Sequence, residues 1–186
     1  MALRVDFPTE QAYARIINGL RTTRLEAEIT QNSLAEVLPV RGRAVSEWES
    51  GAIGPRYRSL FLWARALGRR VVIVDRGVVC LDVGRRPGEP WVVYEQRRLA
   101  APLRERRIAR RMRQSDVGDL ICISRDSIGR WELARVPPRP MAKVAWVHAM
   151  GFSLDLMKVG PPDPRIRRGI GVVLKNPDLP LSRHHY

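Results

Sequence analysis

The chain has 186 residues, 45% of them hydrophobic, which is enough for one or two small globular domains and excludes a disordered tail. The 33 Lys and Arg residues exceed the 19 Asp and Glu residues, so the formal net charge is +14 and the pI is about 11.2. A charge surplus of this size predicts a polyanionic partner, with nucleic acid favoured over an anionic membrane surface.

The sequence lacks the patterns of several other classes of protein. Cys80 and Cys122 form neither a disulfide framework nor a zinc spacing, and we expect both to be small buried residues in a reducing compartment. There is no phosphate-binding loop and no metalloprotease, serine-hydrolase or Cys-x-x-Cys motif, so we expect no enzymatic activity, no cofactor and no metal. Without an apolar signal core or an apolar run of about 18 residues, the chain is expected to be cytoplasmic and to have no membrane partner.

Four helices are predicted in residues 1–70, which we interpret as a first helical domain. They are expected at about residues 9–28, 31–38, 42–50 and 58–67. Thr9 or Asp6 is the expected N-cap of the first helix, Thr30 caps the second, and Gly51 ends the third. Residues 39–41 form a tight turn between the second and third helices.

Residues 71–93 are predicted to be a β-rich connector. The runs VVIV, VVCLDV and WVVYE are rich in β-branched residues and are separated by DRG and GRRPGEP, which are typical turn sequences. Two or three short strands are therefore expected between the helical regions.

Residues 94–160 are predicted to repeat the helical order as a second domain. Helices are expected at about residues 94–111, 114–121, 125–133 and 140–150. Ser124 is the expected N-cap of the third helix of this domain, and Pro140 lies in the first turn of the fourth. A further strand is predicted in FSLDLMKV, at residues 152–159.

Residues 161–186 are predicted to be a basic, partly irregular tail. Its run IGVVLK, residues 170–175, is typical of a strand. The run RIRRG, residues 165–169, is interpreted as a solvated charged face, with a groove-inserting arm as the less favoured alternative.

A shift of 83 residues aligns the two helical regions with 11 identities over residues 20–68 and no gap, where chance gives roughly three. The identities in the first copy are Leu20, Arg21, Arg24, Gln31, Trp48, Glu49, Pro55, Arg56, Trp63, Ala66 and Gly68. Apolar positions repeat as well, which indicates two copies of one fold. The repeated tryptophans are predicted to be core residues rather than base-stacking residues, and Glu49 and Glu132 are each predicted to pair with a nearby arginine.

Two short helices around a tight turn form a helix-turn-helix, whose last helix is pinned on one face and presents the other. A presented helix fits the major groove, where Arg can hold guanine and Asp or Glu can accept from cytosine. The candidate reading residues are Arg41, Gly42, Arg43, Ser46 and Glu47 in the first copy, and Ser124, Arg125, Asp126, Gly129 and Arg130 in the second. The candidate phosphate contacts are Gln31, Arg56, Gln114 and Arg139.

The segment TQNSLAEVLPVRGRAVSEWESG resembles the helix-turn-helix of the Cro/lambda-repressor-like (XRE) family, and RQSDVGDLICISRDSIGRWELA is a second, more diverged match. The resemblance covers roughly residues 10–70 and 95–155, with Pro39 and Cys122 where the family usually has glycine in the turn. It implies bundles of about five helices, sequence-specific DNA binding, and DNA-reading roles for the candidate residues named above except Arg56 and Arg139. The expected fold class is mainly α, with two such bundles joined by a short β-strand or hairpin segment.

These features predict a transcriptional regulator of double-stranded DNA. Because the two presented faces differ, we expect a monomer to read a bipartite, asymmetric site, with a homodimer through the strand segments as the alternative. By analogy with the family, the regulator is expected to be a repressor of the phage or mobile-element immunity type. Two other hypotheses stay open: an antitoxin-like or dimerisation module in which only the first copy binds DNA, and a non-specific nucleoid or RNA-binding protein.

Overall fold

Two helical bundles share one three-stranded sheet in the computed structural model, which describes residue 3, residues 5–80 and residues 83–166. In this part of the chain, the helices of the first copy are α1 Phe7–Glu26, α2 Gln31–Val37, α3 Gly42–Glu49 and α4 Tyr57–Ala66. Those of the second copy are α5 Trp91–Ala109, α6 Gln114–Ile121, α7 Arg125–Glu132 and α8 Pro140–Ala149. The strands are β1 Arg69–Asp75, β2 Val78–Val79 and β3 Ser153–Lys158. The expected fold class is confirmed.

The starts of three helices are set by polar side chains that accept from backbone amides. The Asp6 carboxylate accepts from the Thr9 amide at 2.9 Å, so Asp6 and not Thr9 caps α1. Thr30 Oγ1 accepts from the Ser33 amide at 3.1 Å, which fixes the first residue of α2. Ser124 caps α7 in the same way and thereby fixes where the second presented helix begins.

One predicted strand is wrong. The run WVVYE forms the first residues of α5, although its β-branched residues favour a strand. Tyr94 and Glu95 are buried in α5 together with Leu99, at helical spacing, and this tertiary packing outweighs the local preference. Of VVCLDV, Val78 and Val79 form a strand that pairs with β1 across the two-residue turn Arg76–Gly77, both at positive φ, and residues 81 and 82 lie outside the described residues.

Each bundle has four helices followed by a strand, where the family resemblance implies about five helices. The strands β1 and β3 occupy the fifth position, because VVIV and SLDLMK favour extended backbone. The strand predicted after the second copy is confirmed as β3. The strand predicted in IGVVLK lies outside the described residues, and of RIRRG only Arg165 and Ile166 are described, with Arg165 bound to Asp163.

Paired tryptophans form the centre of each bundle, as predicted. The ring centroids of Trp48 and Trp63 lie 5.6 Å apart, and those of Trp131 and Trp146 lie 5.8 Å apart. All four side chains are buried. In the second copy the chain after α6 passes close to that helix, since a Cβ on Gly118 would lie 2.3 Å from the Ile123 carbonyl oxygen.

The two turn residues that replace glycine both adopt positive φ. Cys122 ends α6 in the left-handed conformation at φ 55°, and Pro39 has φ 26°, far from the value near −65° that its ring favours. The turn therefore imposes a glycine-like conformation on residues that resist it. Cys122 and Cys80 are free thiols and only partly buried, so the prediction that both are buried is wrong.

The sheet joins the two copies. β1 lies in the centre and pairs antiparallel with β2 on one side and with β3, from the second copy, on the other. Val71 faces Leu156 and Ile73 faces Leu154. Val71 and Ile73 belong to one hydrophobic core that continues into both bundles, and the partly buried Leu154 and Leu156 pack against it. The first strand of the connector, β1, is therefore part of a shared core. No helix in the described residues is long and apolar enough to cross a membrane.

A lysine is buried where the bundles meet. Lys143 lines a small cavity together with Leu60 and Val71 of the first copy, and its Nζ donates to the Leu99 carbonyl oxygen at 2.8 Å. Burial, reinforced by the charge of Arg98, holds the pKa of Lys143 well below its usual value. The residue that corresponds to Lys143 in the first copy is Leu60. The two copies therefore have a lysine and an apolar side chain at equivalent positions.

We expect Lys143→Leu to raise the midpoint of thermal unfolding at pH 7. Folding lowers the pKa of Lys143, so the unfolded chain binds the proton more tightly and protonation opposes folding. This penalty fades as the pH rises toward the unfolded value of about 10.4, and the gain of the variant should shrink with it. Differential scanning calorimetry of both proteins between pH 7 and 10.5 measures the change. The exposed Lys158→Leu is the control, and a pH-independent gain or a loss for Lys143→Leu would contradict the prediction.

Candidate nucleic-acid interface

The helix α3 has one buried and one exposed face. Val45 and Trp48 are buried in the bundle, while the candidate reading residues are on the other side. Arg41, Gly42, Arg43 and Ser46 are exposed, and Glu47 is partly buried. The helix therefore presents the surface that the sequence predicted for it.

An exposed ion pair runs along this face. Arg43 Nε lies 2.7 Å from Glu47 Oε1, one helical turn away, and the Arg43 side chain is 83% exposed. Such a surface pair contributes little to stability, about 0.3–0.5 kcal/mol. In the free protein the ion pair keeps the Arg43 guanidinium along the exposed face of α3. Leaving Glu47 to bind a base edge would cost little free energy.

The second copy presents a different set of groups. Gln114, Arg125, Asp126, Gly129 and Arg130 line one surface cleft of about 330 Å³. Within it, Arg130 Nε donates to the Asp126 carbonyl oxygen at 3.3 Å, and Arg125 approaches the Asp126 carboxylate at 4.0 Å. The fold thus brings together five of the six candidate residues that the sequence placed on or beside α6 and α7. The sixth, Ser124, is the N-cap of α7.

Behind each presented helix lies a hydrogen-bonded network around a buried glutamate, which the sequence predicted only in part. Arg24 Nε donates to Glu49 Oε1 at 2.6 Å and its Nη2 to Oε2 at 2.7 Å, while Gln31 Nε2 donates to the same Oε2 at 2.8 Å. The remaining amine of Arg24 donates to the Ile29 carbonyl oxygen at 2.7 Å. The network ties the end of α1 to the start of α2 and to the last turn of α3, and so sets the angle at which α3 is presented.

The second copy repeats the network group for group. Arg107 binds both oxygens of Glu132, at 2.6 and 2.8 Å, and Gln114 Nε2 donates to Glu132 Oε2 at 2.8 Å. The hydrogen bond to Glu132 raises the pKa of Arg107. The predicted ion pairs of Glu49 and Glu132 are confirmed. One N–H of each glutamine amide donates to a carboxylate, a role that the sequence did not predict, and the phosphate contact stays a prediction. The identities at residues 24, 31 and 49 in the repeat were the signal for this network.

The loops that follow α3 and α7 face each other. They line a groove of about 710 Å³ that contains Arg56 and Arg139, both exposed, each after a buried proline. Ile53 and Val136, at corresponding positions in these loops, are also exposed. Because residues of both loops line this groove, the C-terminal ends of α3 and α7 lie near each other.

Two of the six arginines in the basic run 104–113 are engaged in ion pairs with other elements of the fold. Arg106 binds Asp75 and Arg107 belongs to the network with Glu132, so neither is available for a phosphate. Arg104 is exposed, as is its repeat partner Arg21, and neither forms an ion pair within the described residues. Arg104 belongs to the basic run 104–113, for which the sequence leaves phosphate contact and a solvated charged face open, whereas Arg21 is a candidate that the sequence reasoning missed although the repeat retains it.

The exposed side chains of α3, α7 and the loops that follow them are mostly cationic, as binding of a polyanion requires. Exposed guanidiniums dominate this surface, and in the described residues no three His, Cys, Asp or Glu side chains are grouped to hold a metal ion. The arrangement provides hydrogen-bond donors at fixed positions on two rigid helices, which is what recognition of base edges and phosphates requires.

Comparison with known families agrees with this geometry. Residues 20–73 match the family model described as Helix-turn-helix, and residues 98–158 match a second model described as Helix-turn-helix domain. Each match covers the two short helices, the turn and the buried network of one copy. No curated protein and no solved structure matches the chain.

We expect Glu49→Gln to reduce the free energy of unfolding by about 3–5 kcal/mol, since it leaves the buried Arg24 guanidinium without its counter-charge. Glu132→Gln should cost less, because its partner Arg107 is only partly buried. Denaturation with urea measures the loss. Glu47→Gln, which breaks only the exposed pair with Arg43, is the matched control and should change stability by less than about 0.5 kcal/mol. Equal effects at residues 47 and 49 would contradict a structural role for the network.

Proposed function

The chain is a DNA-binding regulator that carries two tandem XRE-like helix-turn-helix domains, and we propose that it is a repressor that reads one bipartite, asymmetric site with both presented helices. The observation that carries this proposal is that α3 and α7 expose different side chains and belong to two bundles that share one core and one sheet. Two different helices require two different half-sites, and one chain supplies both.

In this proposal the presented residues divide by chemistry. Arg43, Arg125 and Arg130 are placed to hold guanine edges, while Glu47 and Asp126 accept from the amino group of cytosine. Gly42 and Gly129 allow the helix backbone to approach the bases, and Arg41, Ser46 and Ser124 supply further donors. Arg56 and Arg139 contact phosphates in the middle of the site, with Gln31 and Gln114 in support at the helix starts.

The action of the protein is proposed to be binding alone, in the cytoplasm or nucleoid of its host. A chain bound across a promoter excludes other proteins from it, which is how a small DNA-binding protein represses without an enzymatic step. Immunity of a phage or mobile element is the setting that we propose, by analogy with the family.

A second candidate is an antitoxin-like or dimerisation module in which only the first copy binds DNA. It is favoured by Asp126, whose side chain is 81% exposed at the position that Arg43 occupies in the first copy. A carboxylate at that position repels phosphates unless a cytosine lies opposite.

Selection and sequencing of bound duplexes from a random library, at near-physiological salt, tests the proposal. We expect an enriched motif with two unlike halves at a fixed spacing, because the helices belong to one rigid body. A motif with a single half would support the alternative module. No enrichment, together with a steep salt dependence of binding, would replace the specific regulator with a non-specific nucleic-acid-binding protein.

We expect the double variant Arg125→Ala/Arg130→Ala to bind the selected site at least tenfold more weakly, since each bidentate contact contributes about 1–3 kcal/mol. Arg15→Ala/Arg76→Ala is the matched control, because it removes the same charge from exposed arginines beside the sheet. Fluorescence anisotropy at constant salt measures both affinities. An equal loss in both variants would mean that charge alone is responsible, and no loss in either would favour the alternative module.

A further inference from the structure

The two strands that join the copies are the same strand of the repeat. The 83-residue shift carries Val72 of β1 onto Asp155 of β3, and these two residues are paired opposite each other in the sheet. The neighbouring pairs, Val71 with Leu156 and Ile73 with Leu154, exchange places under the same shift. Here two equivalent strands pair antiparallel, and one residue lies directly opposite its own equivalent. This is the register found at the interface of a twofold-symmetric dimer.

The helices obey the same symmetry. Contacts between the bundles join α1 to α8 and α4 to α5, and the repeat relates α1 to α5 and α4 to α8. The groove between the presented helices contains Arg56 with Arg139 and Pro55 with Pro138, which are repeat partners. One pseudo-twofold axis therefore passes through the middle of the β1–β3 pair at one end and through this groove at the other.

We infer that the chain is a single-chain pseudodimer that binds, as a monomer and in one orientation, two inverted half-sites of unlike sequence. This inference rests on the proposed function and specifies its DNA target. Helices related by a twofold axis enter the major groove in opposite senses, so the half-sites are inverted and not directly repeated. Two helices on one face of a rigid body reach successive major grooves, which sets the half-site centres about 10–10.5 base pairs apart.

The residues at the junction of the copies favour pairing within one chain over pairing of like copies. In a dimer of two second copies, Asp155 would face Asp155 on the axis, and like charges directly opposite are destabilising. Two copies of the buried Lys143 would also approach one cavity, where Leu60 now lies beside the single lysine.

An ion pair across the junction adds to this preference. Arg70 of β1 binds the buried Glu95 of α5 at 2.7 Å. The repeat partners of these residues are Ser153 and Ala12, which cannot form an ion pair. The contact therefore exists only between a first and a second copy, and it distinguishes that pairing from both self-pairings.

The pairing of the copies is tested without DNA. In Val72→Cys/Asp155→Cys, with Cys80 and Cys122 replaced by serine, mild oxidation is expected to form a disulfide within one chain, because directly paired residues of neighbouring strands lie within disulfide reach. Non-reducing electrophoresis and mass spectrometry identify the product, and sedimentation is expected to give a monomer. Val72→Cys/Lys158→Cys, which are not paired, is the control and should not cross-link. Cross-linked dimers would overturn the pseudodimer.

The target is tested with rearranged duplexes of the selected site. Relative to the native site, we expect affinity to fall at least tenfold when one half is reversed into a direct repeat or when five base pairs are inserted between the halves. It should also fall when one half is duplicated into a perfect palindrome, because one helix then meets the wrong half-site. Native mass spectrometry should count one chain per duplex. Equal affinity for the direct repeat, or two chains per duplex, would overturn the inference.

The bound orientation is tested with a DNA-cleaving reagent attached to Cys122 in a Cys80→Ser chain. Cleavage is expected beside one half-site only, and equal cleavage at both would overturn the single orientation. If the disulfide forms within the chain but no motif is enriched, the pseudodimer stands while the proposed function and the inverted target both fail. If a motif is enriched but direct repeats bind equally well, the proposed function stands and the inference fails.

Discussion

The antiparallel pairing of β1 with β3 is the contact on which the rest of the molecule depends. Each bundle ends in a strand that is partly apolar, and a single strand cannot satisfy its backbone groups or bury its side chains alone. The pairing solves this for both copies together, and it places Val71, Ile73, Leu154 and Leu156 over the helices of both bundles. The presented helices gain a fixed relative position because they belong to bundles that share this core.

Within each bundle, the orientation of the presented helix depends on the network of one arginine, one glutamate and one glutamine. The three side chains join three helices with charge-assisted hydrogen bonds, and the same distances recur in both copies to within about 0.2 Å. A buried ion pair contributes less to stability than its geometry suggests, because desolvation offsets much of its attraction. Its directional bonds restrict the angle between the helices, and that angle determines which side chains reach a groove.

The two copies have kept their interior and changed their surface. Trp48 and Trp63 correspond to Trp131 and Trp146, with nearly the same ring separations, whereas the exposed residues of α3 and α7 share no side chain at corresponding positions. The junction has diverged as well, with Lys143 opposite Leu60 and Asp155 opposite Val72. This distribution is what one expects when two halves of a symmetric arrangement serve different half-sites and no longer need to pair with themselves.

The sequence alone determined the local structure and the repeat. Capping residues, apolar periodicity and the 83-residue shift were sufficient for the eight helices of the described residues, for the helix-turn-helix, and for the exposed faces of α3 and α7. These features depend on contacts between residues close together in the chain or on patterns that repeat within it. Only the tertiary structure decided that WVVYE is helical, that the glutamines hold carboxylates, and that β1 pairs with β3 across the two copies. Each of these depends on partners at least 18 residues away or on burial that no local pattern encodes, and the pairing of β1 with β3 joins residues about 80 positions apart.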